Sequence, residues 1–264
     1  MIATLALLAT LFFVATVVLA VVHLRNRAVR KQRGLLGEWP IPRVPPEELD
    51  QVLRPGPHGP TLDTEVAFVG RGPYVVDGGT SDAEAWILAV LAKRAHRMFE
   101  FGTCTGKTAY LWARNSPTDA RVVTVTLAPD HLADYRQEDT DDPRDVKFAL
   151  RESSHTEFLY SGTPEAAKVE QLFADSKALD VSQWAGRCDL VFVDGSHAYS
   201  YVVSDSAKAL ELVVPGGVVL WHDYAGPRHA PGVYRALNEL AARFPLVRLE
   251  GTTLVAYRRP VEGE

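Results

Sequence analysis

The sequence predicts an α/β domain built on a mostly parallel sheet, and three observations carry that prediction. From Ser81 onward, short apolar runs alternate with segments of helical periodicity. The run Leu190-Val191-Phe192-Val193 has no polar face, as a strand covered on both sides requires. A turn containing Gly102 and Gly106 follows the first of the strand-like runs, where α/β sheets bind their ligands.

The elements follow in order. Ser81 is placed to cap a helix over 82–97, whose apolar residues Ala85, Ile87, Leu88, Leu91 and Ala92 recur at helical spacing. The run 97–101 is the first strand, and a helix is predicted over 107–114 beyond the turn. The Val- and Thr-rich stretch 121–127 is a second strand and Val169 to Phe173 a third. A strand over 189–193 precedes a helix over 201–212, and Pro215-Gly216-Gly217 turns the chain into a strand over 218–221. A helix over 232–244 comes next. The chain closes with 246–250 and 253–258, an antiparallel pair around Gly251.

Ahead of this domain, residues 2–22 carry no charge, and Thr4, Thr10 and Thr16 are the only polar interruptions. A bilayer core needs about 20 apolar residues in a helix, so the segment is long enough to span one. Arg25, Arg27, Arg30, Lys31 and Arg33 follow it and no Lys or Arg precedes it, which puts the amino terminus outside and the rest in the cytoplasm. A cleaved signal peptide is the competing reading. It wants a basic start, a shorter core and a better exit than Val18-Leu19-Ala20. The basic cluster would serve as a topology signal or lie against anionic lipid. Seven prolines between Pro40 and Pro60 predict an extended linker. The expected organisation is therefore an anchor over 1–23, a basic and Pro-rich linker over 24–60, and a domain over 61–264 with a weakly patterned lead-in to Gly79. The charged stretch 130–168 is long for a loop and is expected to act as a lid over an acceptor.

A net charge of −5 gives no electrostatic reason to expect nucleic acid. Cys104 and Cys188 are too few and too far apart to suggest a metal site or a disulfide framework, and they fit a reduced compartment.

The chemistry is concentrated after strand ends. The turn reads Glu100-Phe101-Gly102-Thr103-Cys104-Thr105-Gly106-Lys107-Thr108. A P-loop needs four residues between its glycines, and here three intervene. A dinucleotide fingerprint would want glycine at Cys104 and Lys107. What remains is Glu-x-Gly-x-x-x-Gly. With Asp194-Gly195-Ser196-His197-Ala198-Tyr199 and Pro215-Gly216-Gly217-Val218-Val219-Leu220-Trp221-His222-Asp223-Tyr224, this turn resembles the bacterial class I methyltransferases that use S-adenosylmethionine (SAM). The resemblance covers about 82–258.

That resemblance implies a Rossmann-like methyltransferase fold with seven strands in the order 3-2-1-4-5-7-6, the seventh antiparallel. It implies that Glu100 binds the amino group of SAM, that Gly102, Thr103 and Gly106 allow close backbone approach, and that Asp194 lies beside the cofactor. Asp175 and Ser176 would contact adenine, unless Asp175 caps a following helix. Thr126 stands where the family usually has an acid for the ribose hydroxyls, a departure that Asp130 would have to make good by reaching back. His197 is the expected proton acceptor for a hydroxyl substrate, with His222 the second choice and Asp194 and Asp223 completing the catalytic set. Asp194 and Asp223 could together hold Mg²⁺, with Tyr224 where a third ligand would fall; Asp205 reads as a solvated or capping acid. The implied activity is O-methylation of a small-molecule or lipid-linked acceptor near the membrane. A non-catalytic SAM-binding protein, or a metal-dependent hydrolase- or hydroxylase-like relative, are the alternatives.

Overall fold

The structure is a computed structural model that describes residues 2–32, 39–54, 78 and 80–261. Gly37, Pro55, Pro57, Pro60 and nearly all of the lead-in from 61 lie outside the described residues.

Helix α1 (Ile2–Gln32) contains the uncharged segment and runs beyond it. Its stretch Ala9–Arg27 has a mean hydropathy of 1.7 and is not buried against the rest of the chain. The Thr16 hydroxyl donates to the Phe12 carbonyl at 2.8 Å, which removes one polar cost of placing this helix in lipid.

Eight strands form one sheet: β1 (Arg43–Val44), β2 (Arg97–Phe101), β3 (Arg121–Thr126), β4 (Val169–Phe173), β5 (Cys188–Val193), β6 (Val213–Trp221), β7 (Val247–Leu249) and β8 (Val255–Arg258). Their order is β1-β7-β8-β6-β5-β2-β3-β4. Without β1 this is the expected order. β8 runs antiparallel to both neighbours, and every other pairing is parallel.

The eighth strand corrects the expected seven, and it comes from the stretch expected to be a free linker. Over 39–54 that stretch folds onto the domain, with Ile41 and Leu53 buried. The prolines do not prevent this, because Pro42 contributes only its carbonyl, which proline retains, and the two strand residues Arg43 and Val44 are not proline. Arg248 N–H donates to Pro42 at 2.7 Å and Glu250 N–H to Val44 at 3.0 Å. Trp39 is wedged by the Arg248 guanidinium, 3.8 Å from its ring centroid, and lies edge-on to Tyr224 at 5.2 Å. Pro46 opens helix α2 (Pro46–Leu49) at a position where no N–H is needed. If this strap is part of the cooperative fold, Leu53→Ala should destabilise the protein by about 2–5 kcal/mol. Denaturant unfolding of the detergent-solubilised chain measures this, and a loss below about 0.5 kcal/mol would show that the strap is dispensable.

Helices cover both faces. α3 (Asp82–Ala92) and α4 (Lys107–Asn115) lie on one, α6 (Tyr199–Leu212) and α7 (Pro231–Ala241) on the other. The strands serve both by alternation: in β5, Leu190 and Phe192 join the α3/α4 core, while Val191 and Val193 join the α6/α7 core. The expected cap at Ser81 is a complete capping box with Glu84.

The stretch 130–168 is more ordered than its sequence suggested. It holds α5 (Pro143–Glu152) between two short 3-10 turns, Pro129–Asp134 and Pro164–Lys168. Asp141 docks it onto α6, accepting from the Ser200 N–H at 2.8 Å and its hydroxyl at 2.7 Å. Tyr135 stacks on Tyr201 at 4.5 Å.

Candidate active site at the carboxyl ends of the strands

The glycine turn, the segment after β5 and the segment after β6 meet at the carboxyl edge of the sheet. Gly102 makes this possible. Its φ of +102° is poorly open to other residues, and a Cβ there would lie 2.1 Å from the Asp194 carbonyl oxygen. Gly106, at φ +77°, caps α4. Glu100 is buried beneath the turn and accepts from the Thr124 hydroxyl at 2.6 Å. Burial pushes its carboxyl up to about 8, with the Asp194 charge adding to the rise against the Thr124 and Thr108 hydrogen bonds. Thr103 shares a 2.8 Å hydrogen bond with Thr124 and accepts from Gln171 at 3.1 Å.

His222 stands at the centre of the acids. Its Nδ1 is 2.9 Å from Asp194 Oδ1 and 3.2 Å from Asp223 Oδ2, while Nε2 is 3.5 Å from Glu84 Oε2. Burial opposes its protonation, but Asp194 and Asp223 outweigh burial and raise it well above the ordinary imidazole value. Asp223 is correspondingly held well below the carboxylate range despite burial, through His222 and His197. Asp194 moves the other way, raised mainly by burial and by Asp223. The cluster is therefore an imidazolium shared among acids, of which Asp223 and Glu84 keep their charge more firmly than Asp194. Asp223 takes a left-handed φ of 56°, a conformation an aspartate tolerates better than most residues. His197 Nε2 lies 3.0 Å from Asp223 Oδ2. Burial lowers its basicity, yet Asp223, Asp194 and Glu152 raise it above the ordinary value overall.

Two cavities open on this edge. One, of about 520 Å³, is lined by Val125, Thr126, Leu127, Ala174, Asp175, Ser176 and Asp205 among others. The other, of about 700 Å³, is polar and lined by Glu100, Thr103, Lys107, Thr108, His197, His222 and Asp223. The expected site residues other than Gly106, which lies against Phe158 and Tyr160, thus divide between two adjoining chambers. Thr126, Asp175 and Ser176 line the first; Glu100, Thr103, His197, His222 and Asp223 line the second; Gly102 and Asp194 line both.

Four expectations change on contact with the structure. Asp130 does not reach back. Its side chain is 84% exposed and lines a separate outer hollow with His131. Tyr224 points away from the acids, stacked on Tyr234 at 5.4 Å with its hydroxyl donating to Asn238. Asp205 is neither solvated nor a cap. It is 1% exposed, lines the first cavity, and its Oδ1 has no hydrogen-bond partner among the described residues. Asp175 does not cap a helix, because its Oδ1 accepts from Lys177 N–H in a turn.

The expected metal pair is also changed by its neighbours. Ligand atoms of Asp194, His197 and Asp223 lie within 4.8 Å of one another. However, both carboxylates already face imidazoles, and Mg²⁺ prefers an oxygen donor set. These residues fit Mg²⁺ poorly, and no step is assigned to it.

Sequence reasoning missed α5. Phe148 stacks on His197 at 4.8 Å, and Glu152 lines both cavities. The signal was present in Asp142-Pro143, a cap followed by a first-turn proline, with Val146 and Ala149 on one face.

Residues 99–224, which include most of these groups, match the family model described as a methyltransferase domain. A stretch of 54 residues, 20% of this chain, is 35% identical to an uncharacterised protein of Acanthamoeba polyphaga mimivirus, and covers about a quarter (24%) of that relative's length. Several solved structures are similar at low identity. The O-methyltransferase TomG of Streptomyces achromogenes, involved in tomaymycin synthesis and solved with SAM, is 23% identical over 70% of this chain and 83% of its own, with a TM-score of 0.46. A Podospora anserina methyltransferase bound to S-adenosylhomocysteine (SAH) is 19% identical over 69% and 80%, with a TM-score of 0.47. A Bacillus cereus O-methyltransferase in complex with SAH is 18% identical over 69% and 84%, with a TM-score of 0.44. The match to the family model spans the glycine turn and both acidic segments at the sheet edge, so this part of the chain is similar to a methyltransferase domain.

Proposed function

We propose that this protein is a single-pass membrane enzyme that transfers the methyl group of SAM to an oxygen of a small-molecule or lipid-linked acceptor, on the cytoplasmic side. The observation that carries the reading is the placement of a histidine–carboxylate pair, His197 and Asp223, in the same chamber as the Glu100-x-Gly turn.

The residues present fit the donor. The first chamber offers apolar walls for a base and a buried acceptor, Asp205 Oδ1, that lacks a protein donor and suits a nucleoside hydroxyl or amine. Asp175 and Asp205 thus supply the carboxyl chemistry that Thr126 lacks. Glu100, at the floor of the second chamber, would take the ammonium group of the amino-acid end, and that cation would draw its raised carboxyl back to the charged form. SAM supplies an electrophilic methyl carbon, so the protein's work is to align an acceptor with it and to remove a proton.

His197 does the second task. Its Nε2 is held by Asp223, and Phe148 packs on its ring, which fixes the ring plane. The neutral imidazole accepts the hydroxyl proton as the oxygen–carbon bond forms and the sulfur–methyl bond breaks, the bonding pair leaving on sulfur, and Asp223 stabilises the imidazolium that results. His222 keeps Asp223 and Asp194 charge-balanced. The helix α1, with basic residues following its apolar stretch, supports an acceptor that resides in or near the bilayer.

Membranes containing the full chain should transfer label from SAM to a small or lipid-extractable product, and His197→Ala should reduce kcat about 10²–10⁴-fold while leaving SAH affinity nearly unchanged. Because His197 must be neutral to act, kcat/KM should rise with pH through a value above the ordinary imidazole range, and the variant should lose that limb. Full turnover in the variant would remove His197 from the mechanism.

A further inference from the structure

We infer that Glu152, on α5, is the counter-charge that lets this site distinguish SAM from its demethylated product. The inference rests on the SAM reading above. The two chambers are lined in common by four residues, Gly102, Cys104, Glu152 and Asp194, which therefore form the neck between them. The apolar-walled chamber suits a nucleoside and the polar chamber suits an amino-acid tail. A ligand with one half in each passes the neck at its middle, and the middle of SAM is the positively charged sulfonium.

Only two neck residues carry a carboxyl, and they are not equivalent. Asp194 is already engaged by His222 at 2.9 Å. Among the described residues, no hydrogen bond or salt bridge engages the Glu152 carboxyl. Asp194, His197 and Asp223 face it from the strand ends, and Arg151 adjoins it on its own helix; burial and the Asp194 charge push its carboxyl up to about 8, and a cation at the neck draws it back to the charged form. Glu152 is thus a half-buried acid at the neck without a committed cation. Loss of the methyl group turns the sulfonium into a neutral thioether, so an acid placed there attracts the donor and not the product. The arrangement holds the donor before transfer and favours release of the product after it. It also gives the 130–168 stretch a role beyond covering the site.

Calorimetric titration of the detergent-solubilised full chain with SAM and with SAH tests this directly. Glu152→Gln preserves size and removes the charge. It should weaken SAM binding about tenfold and change SAH binding by less than about twofold. Glu152→Asp should recover part of the SAM affinity. Equal weakening of both ligands would overturn the inference and make Glu152 a support for α5. No change in either would also overturn it. If the glutamine variant fails to fold, Glu152→Met, similar in size and uncharged, should show the same selective loss. Wild-type protein that binds neither ligand would instead overturn the SAM reading itself.

Discussion

Gly102→Ala should abolish SAH binding and destabilise the protein by on the order of 2–5 kcal/mol. The backbone there sits at φ +102°, and the new methyl carbon would fall 2.1 Å from the Asp194 carbonyl oxygen and 2.6 Å from the Gly195 Cα. Neither neighbour is the end of a flexible side chain. Both belong to the backbone leaving β5, which is paired to β2 through the Asp194 N–H and the Phe101 carbonyl at 2.8 Å. The strand ends would have to part to admit one carbon, and both chambers share this corner. Gly162→Ala is the control. Its φ of +72° is comparably restrictive, but nothing lies within 4 Å of the added carbon. It should cost about 1 kcal/mol and leave binding intact. Denaturant unfolding and SAH titration of both variants measure the contrast, and retained affinity in Gly102→Ala would show that the turn is not the donor's seat.

The second large effect is expected at His222. Removing the imidazole in His222→Ala leaves Asp194 and Glu84 facing a void, and leaves Asp223 with His197 alone. Breaking a buried ion pair from one side typically costs about 3–5 kcal/mol, because the remaining charge is uncompensated. The pH dependence has a definite sign. His222 has a raised folded value, so its contribution is complete below the ordinary imidazole value of 6.5 and fades as pH rises through the folded value. Asp223 is depressed, so its contribution is present above the ordinary 3.8 and fades as pH falls through its folded value. The wild-type advantage over His222→Ala should therefore be largest in the window between, and should narrow at either end. A variant within about 1 kcal/mol of wild type near neutral pH would show that the cluster is not an ion-pair network.

Much of the site was readable from the chain, for a physical reason. In a parallel α/β sheet, residues directly after strands converge on one edge, so Glu100, Asp194, His197, His222 and Asp223 needed only strand boundaries to be placed together. What they do to one another was not readable. Asp194 and Asp223 looked like a pair of metal ligands because their spacing along the chain cannot show that His222 lies between them. Asp205 looked solvated because a single acid on a helix usually is, and its burial depends on how the 130–168 stretch and the β4 turn close over α6. Glu152 could not be recognised at all while α5 was read as irregular.

The strap shows the same limit from the other side. Prolines between 40 and 46 rule out a central strand and a long helix, which local backbone chemistry dictates. They permit a short edge strand at Arg43–Val44 between them, and whether such a strand finds a partner depends on β7, some two hundred residues later. The sequence by itself determined the alternation of strands and helices, the glycine turn and the apolar amino-terminal helix, because each is a property of neighbouring residues. Only the tertiary structure decided which acids share a histidine, which helix reaches the neck between the chambers, and that the strap is an eighth strand. Those depend on contacts between segments far apart in the chain, where burial and charge act together.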